Sequence, residues 1–217
     1  MSIFVLRIKT KYKQNSKTMG IFDFMKKKAG QKHLPADQYL NHLYQIFQQE
    51  PELYLEESLI KGIPGITTIV YRDIPEKGCI TAFTYGLSLV EHPDWKIGRA
   101  ELCISVNSSH LDWAQAMGYI ANQLRGDCPF SYAQVINFKE KISPDSEMDA
   151  FFIFAPSTID KEDYLYIDIG TDYKVSIASL YPMYSDEIEI YNNIGLEKFW
   201  HHPSFDNYKV NRKKIKG

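Results

Sequence analysis

The sequence predicts an α+β fold, a mostly antiparallel β-sheet packed with helices. Three observations predict it. Apolar residues recur at helical spacing in three separated stretches, 34–49, 112–127 and 185–202. The segments between them are short, rich in β-branched and aromatic residues, and punctuated by Pro and Gly. The resulting order of helix, β-meander, helix, strands and helix is that of an α+β sandwich.

In "LPADQYLNHLYQIFQQ" (34–49), Pro35 takes a first-turn position, and Ala36, Tyr39, Leu40, Leu43 and Phe47 share one face. His42 falls between them and is expected to face solvent. "ITTIVYRDI" (66–74) and "CITAFTYGLSLV" (79–90) flank the turn "PEKG" and read as a hairpin, with Gly86 at a bulge. "RAELCISV" (99–106) is the expected neighbouring strand. "DWAQAMGYIANQLRGD" (112–127) is an amphipathic helix, capped by Asp112 and stopped at Gly126. Strands follow at 131–138, 148–156, 164–169 and 173–184. The run "FFIF" suits a strand buried on both faces. "SDEIEIYNNIGLEKFWHH" (185–202) opens as a capped helix and ends at Pro203.

The 217 residues suit one domain, and 44% hydrophobic and 14% aromatic residues suffice for a core. No apolar run approaches the roughly 20 residues of a membrane span. The five-residue apolar stretch near Met1 is too short for a secretory signal, which makes the cytoplasm the expected location. Cys79, Cys103 and Cys128 fit neither a disulfide framework nor a zinc ribbon and are expected as buried thiols.

The net charge of −2 hides an asymmetry. Nine of the 25 Lys/Arg lie in residues 1–32 and five in 209–217, so 11 remain in 33–208. That body holds 26 of the 27 Asp/Glu, a balance of −15. It repels nucleic acid and steers a basic protein partner. The expected organisation is a basic, disordered N-terminal extension (1–32), one domain (33–208) and a solvated basic C-terminal tail (209–217). Met19 begins "MGIFDF", which reads like a natural start, so residues 1–18 are an upstream extension or arm.

No motif for chemistry survives inspection. "GLSLV" (86–90) has Val90 where a nucleophile elbow needs glycine. "DKEDYLYIDIGTD" (160–172) lacks the ligand ladder of a calcium loop. Adjacent helical residues point about 100° apart, so His201 and His202 do not share a metal and instead end the helix. No catalytic residue, metal site or cofactor is expected. Arg72, Arg99 and Arg125 are candidates to pair with carboxylates, Arg99 with Glu101 among them.

Several segments nevertheless stand in a recognisable order. They are "ITAFTYGLSLVEHPDW" (80–95), "GRAELCISV" (98–106), "DWAQAMGYIANQL" (112–124), "CPFSYAQVINF" (128–138), "MDAFFIFAP" (148–156), "LYPMYSDEIEIY" (180–191) and "GLEKFW" (195–200). Together they resemble the Suppressor of fused domain family over residues 35–212, especially its bacterial single-domain members. The resemblance implies an α+β domain without known catalytic activity. It implies a protein-binding role: sequestration of transcription factors in animals, and immunity against toxins of polymorphic toxin loci in bacteria. The animal protein grips an extended peptide between this domain and a second one, which has no counterpart here. Gly86, Leu87, Ser88 and Glu101 match recurrent family positions, and the loop from Glu91 to Gly98 corresponds to the region near the animal ligand groove. The resemblance thus offers Glu91, Asp94, Trp95, Arg99 and Glu101 as partner-contact residues.

The leading expectation is a non-enzymatic immunity protein that binds a basic toxin domain. A hydrolase using Ser88 or a histidine, and a strand-binding scaffold with an exposed sheet edge, are the alternatives. The sequence leaves the oligomeric state open.

Overall fold

A computed structural model describes residues 3–5 and 34–216. Apart from 3–5, the expected N-terminal extension lies outside the described residues. Nine strands form one sheet in the order β1-β6-β7-β9-β5-β4-β3-β2, with the short β8 also pairing β9. They are β1 (Ile3–Val5), β2 (Glu52–Leu55), β3 (Thr67–Arg72), β4 (Ile80–Tyr85), β5 (Arg99–Val106), β6 (Val135–Asn137), β7 (Ala150–Phe154), β8 (Ile167–Asp168) and β9 (Lys174–Met183). The pairings β1–β6 and β5–β9 are parallel, and the other six are antiparallel. The sheet is therefore mostly antiparallel, as the sequence predicts.

Four helices accompany it among the described residues: α1 (Pro35–Phe47), α2 (Asp112–Leu124), the single turn α3 (Lys161–Tyr164) and α4 (Ile188–Trp200). Alternation along β9 shows how they share the sheet. Ala178 and Leu180 join the core beneath α2, whereas Val175, Ile177, Tyr181 and Met183 face the cores containing α1 and α4. In β7 likewise, Phe151 points to the α2 side and Phe152 to the α4 side, so "FFIF" is buried on both faces. Trp113 of α2 is fully buried, and each large side chain buried in this way contributes about 1.5–3 kcal/mol.

The differences from expectation have local causes. The strand expected over 79–90 ends at Tyr85, because Gly86 adopts φ 125° and residues 87–89 form a 3₁₀ turn. The strand expected over 131–138 shrinks to three residues, since Ala133 takes a left-handed φ of 70° and Gln134 Oε1 accepts the Ser131 N–H at 2.7 Å. Asp112 opens the first turn of α2, while Leu111 is the cap residue. α4 is kinked at Gly195 (φ 80°). His42 is half-buried, its Nε2 bonded to the Asp163 carbonyl at 2.7 Å. β2 and the helical turn α3 carry no period long enough to read. β1 corrects the expectation of an arm without regular structure.

Residues 209–216 also differ from a solvated tail. Val210, Arg212 and Ile215 are buried. The Arg212 guanidinium donates to both oxygens of Glu187 at 2.7 Å, and the Ile215 N–H donates to the same carboxylate at 2.7 Å. Lys209 and Lys214 pair with Asp206 and Asp186. The basic charges are drawn onto the acidic body, and Arg212 penetrates it.

The cysteines are free and buried, as expected. His201 and His202 close α4, where their N–H groups donate to the carbonyls of Glu197 and Phe199. Phe199 is fully buried, and Trp200 packs edge-on against Phe154 and Tyr181.

Candidate protein-binding site

The residues offered as contacts divide between the two faces of the sheet. Glu101 and Arg99 alternate with Ala100 along β5, so they point to the α1 face while Ala100 points to the α2 face. Glu101 is fully buried. Its Oε1 accepts the Gly86 N–H (2.8 Å), the Ser88 N–H (3.0 Å) and the Ser88 hydroxyl (2.7 Å), and its Oε2 accepts the Thr84 hydroxyl (2.6 Å). Burial pushes this carboxyl above its ordinary range, with the four donors pulling against it. The Arg125 guanidinium holds the far side of the same turn, donating to the carbonyls of Gly86 and Pro64 at 2.9 Å. A Cβ at Gly86 would stand 2.6 Å from the Gly65 carbonyl oxygen, so this turn requires glycine.

Glu101 is thus fully enclosed and organises the turn that launches the loop 90–98. Ser88 is equally buried, and its hydroxyl is committed to Glu101, so neither group meets a substrate in this arrangement. Arg99 pairs with Glu91 rather than Glu101, donates to the Ser88 carbonyl at 3.3 Å, and lies 3.8 Å over the Tyr173 ring. The oxygens of Glu101 are already occupied. Arg72 pairs with Glu52 at 2.5 Å, while Arg125 bonds carbonyls and the Ser58 hydroxyl.

Trp95 belongs to the opposite face. Its indole N–H donates to the Pro129 carbonyl at 2.8 Å and its ring packs against the α2-side core. There it walls a groove of about 200 Å³ with Ile97, Pro129, Phe130 and Tyr132 over a floor of Ala100, Ser176 and Ala178. The floor is low because its side chains are small. At one end Gly98 (φ 102°) lies close beside the start of β9, where a Cβ would come within 2.7 Å of the Lys174 carbonyl oxygen. The Ser176 hydroxyl donates to the Ile97 carbonyl there. The opposite wall contains a left-handed non-glycine residue, Phe130 (φ 51°), and a second, Ala133 (φ 70°), follows the wall directly.

The rim of this groove is apolar and open. Ile97 and Tyr132 are 45% and 39% exposed, and the Asp94 side chain stands outward beside Trp95. Ile97, Tyr132 and the Ala-Ser-Ala floor were not anticipated from the sequence. The small residues at alternate positions of β9, Ser176 and Ala178 between Val175, Ile177 and Ser179, were the available signal. The loop 128–133 gave none, because it resembles a strand. Among the described residues no group of three or more His, Cys, Asp or Glu could hold a metal ion, and no helix is long and apolar enough to cross a membrane.

The architecture is an α+β domain in which a buried carboxylate organises the turn before an exposed apolar groove. A family profile described as Suppressor of fused protein (SUFU) matches residues 62–212, and the chain belongs to that family. A Suppressor of fused homologue from Neisseria gonorrhoeae FA 1090 is similar in structure, with TM-score 0.63 and 15% identity over 82% of this chain and 94% of that one. The Sufu–Fu complex gives 0.61 and 12%, covering 84% and 92%. Drosophila Suppressor of Fused gives 0.58 and 12%, covering 80% of this chain and 49% of that one. No curated protein sequence matches the chain. Suppressor of fused is a protein-binding regulator and not a known enzyme, and the second structure holds it in complex with Fu.

Proposed function

We propose that this chain is a non-enzymatic, cytoplasmic immunity protein that binds and neutralises a cognate bacterial toxin. The observation that carries the binding role is the open apolar groove between Trp95 and Tyr132 on an otherwise acidic domain. Aromatic walls over a small-residue floor suit an anchor side chain from a partner. The body's balance of −15 would speed encounter with a basic toxin domain and cover its phosphate-binding surface. Trp95, Ile97 and Asp94 supply the contact surface on this face, with Glu91 and Arg99 at the other edge of the same loop. The sealed state of Ser88 and Glu101 supports the non-enzymatic reading.

The test is co-expression with a toxin encoded beside the gene, followed by calorimetric titration of the two purified proteins. Growth rescue and a saturable complex are expected. Trp95→Ala and Ile97→Asp should each weaken binding by at least about tenfold, the loss typical of a central anchor. Absence of both rescue and binding removes the toxin assignment, and unchanged affinity in both variants removes the groove.

A further inference from the structure

The loop between β2 and β3 packs against α2 through polar contacts. Its base is closed by the Glu56 N–H, which donates to the Ile66 carbonyl at 2.8 Å. Asn122 of α2 fastens the next part. Its amide nitrogen donates to the Glu57 carbonyl at 2.8 Å, and its oxygen accepts the Leu59 N–H at 3.4 Å. Arg125, just past the end of α2, donates to the Ser58 hydroxyl at 2.6 Å and to the Pro64 carbonyl at 2.9 Å. None of residues 57–65 belongs to a core cluster, and Leu59 is 60% exposed. A segment held by a few polar contacts and no buried apolar face opens before the domain does.

The Glu56 carboxyl reaches the backbone of α2 at Gly118. A Cβ there would stand 2.7 Å from Glu56 Oε1 and 2.4 Å from the Thr68 hydroxyl oxygen, so glycine leaves room for both groups. That Thr68 hydroxyl is buried and has no hydrogen-bond partner. The Asn122 amide bonds the carboxyl, and none of the ion pairs among the described residues includes it. The titratable group facing it from α2 is Tyr119, on which Glu140 also acts. On its own chain Tyr54 is committed to Glu52, and Glu57 and Lys61 are exposed. An enclosed carboxylate with no cation favours its neutral form, and burial pushes Glu56 up to about 7.

We propose that residues 57–65 are a proton-operated flap, docked on α2 while Glu56 is neutral and released when Glu56 gives its proton to solvent, and that Arg125 links this flap to the Trp95 groove. The link is a single nitrogen. Arg125 Nη1 donates to the Pro64 carbonyl in the flap and, also at 2.9 Å, to the Gly86 carbonyl in the turn that launches the loop 90–98. Trp95 stands in that loop. The docked state binds the proton more tightly than the released one, so docking is complete below about 4.5 and weakens as pH rises to about 7. The purpose of the link rests on the binding role proposed for the groove, but its readouts need no partner.

The test is amide hydrogen exchange of the full-length chain between about pH 5.5 and about pH 8.5, with rates corrected for intrinsic exchange. Protection of the Leu59 N–H should fall at least about tenfold across that range in the wild type and stay constant in Glu56→Gln. In the wild type alone, the Glu56 carboxyl carbon followed by NMR should titrate at the midpoint of that loss. The indole N–H resonance of Trp95, which donates to the Pro129 carbonyl, should shift over the same range. Arg125→Lys should abolish that shift while the Leu59 response persists. Protection that does not vary with pH, or varies equally in Glu56→Gln, overturns the flap. A Leu59 response without a Trp95 response overturns the link to the groove. A toxin that fails to bind leaves these readouts as they are, so the two proposals fail separately.

Discussion

Glu101 and Glu187 are both completely buried carboxylates on one domain, and they are stabilised by opposite means. Glu187 faces a cation: Arg212 grips both oxygens, with the N–H groups of Tyr184 and Ile215 completing the shell. Glu101 receives four donors from Thr84, Gly86 and Ser88. The first arrangement joins residues 25 positions apart and fastens a chain segment. The second shapes a turn. A buried carboxyl without a bonded cation is tolerated where both oxygens meet donors and the geometry of a neighbouring loop depends on it. Glu56 extends the series. It is largely enclosed against α2, near the Asn122 amide, and burial pushes its carboxyl up to about 7.

Removing the cation should have the largest effect. Arg212→Met strands a buried carboxylate and should cost about 3–5 kcal/mol in denaturant unfolding. Adding Glu187→Met should restore most of that loss, because the pair as a whole gains little over apolar packing. If the double variant is as unstable as the single one, the strap is held by its packing instead.

Glu101→Ala comes next. It orphans two N–H groups and two hydroxyls, and the expected loss is about 2–4 kcal/mol, measured in the same way. Ser88→Ala removes one hydroxyl donor and should cost about 1 kcal/mol. Near-equal losses in these two variants would mean that the remaining donors contribute nothing to the turn.

A further effect concerns pH. The folded-state pKa of Glu56 lies above its ordinary value of 4.5, so the folded protein holds the proton more tightly than the unfolded chain. Its contribution is complete below about 4.5 and is lost as pH rises to about 7. Thermal melting should therefore show a decline across that window that Glu56→Gln flattens. An unchanged slope would place the titration on another group.

The elements legible in the sequence were those whose period is long. α1, α2 and β5 fall within two or three residues of their expected ends, since four or five core side chains mark each. The pieces that failed are those in which side chains act across large separations. Nothing near Arg125 announces that it will cap a turn 39 residues earlier. Nothing in "NRKKIK" distinguishes Arg212 from its neighbours, although it is the one buried against Glu187. The loop from Glu91 to Gly98 was offered as a contact region through family resemblance. Its division across two faces follows from strand alternation between Arg99, Ala100 and Glu101, which a strand assignment alone contains. The groove's other wall includes left-handed backbone at Phe130, and that residue type does not advertise it.

The docked segment 210–215 has a consequence for synthesis. Val210 completes the α2-side core and Ile215 the α4-side core, while the Ser146 hydroxyl holds the Val210 carbonyl. A nascent chain released before Arg212 would carry Glu187 toward the interior with no counterion and leave both cores short of a side chain. Such a fragment should be an easy protease substrate.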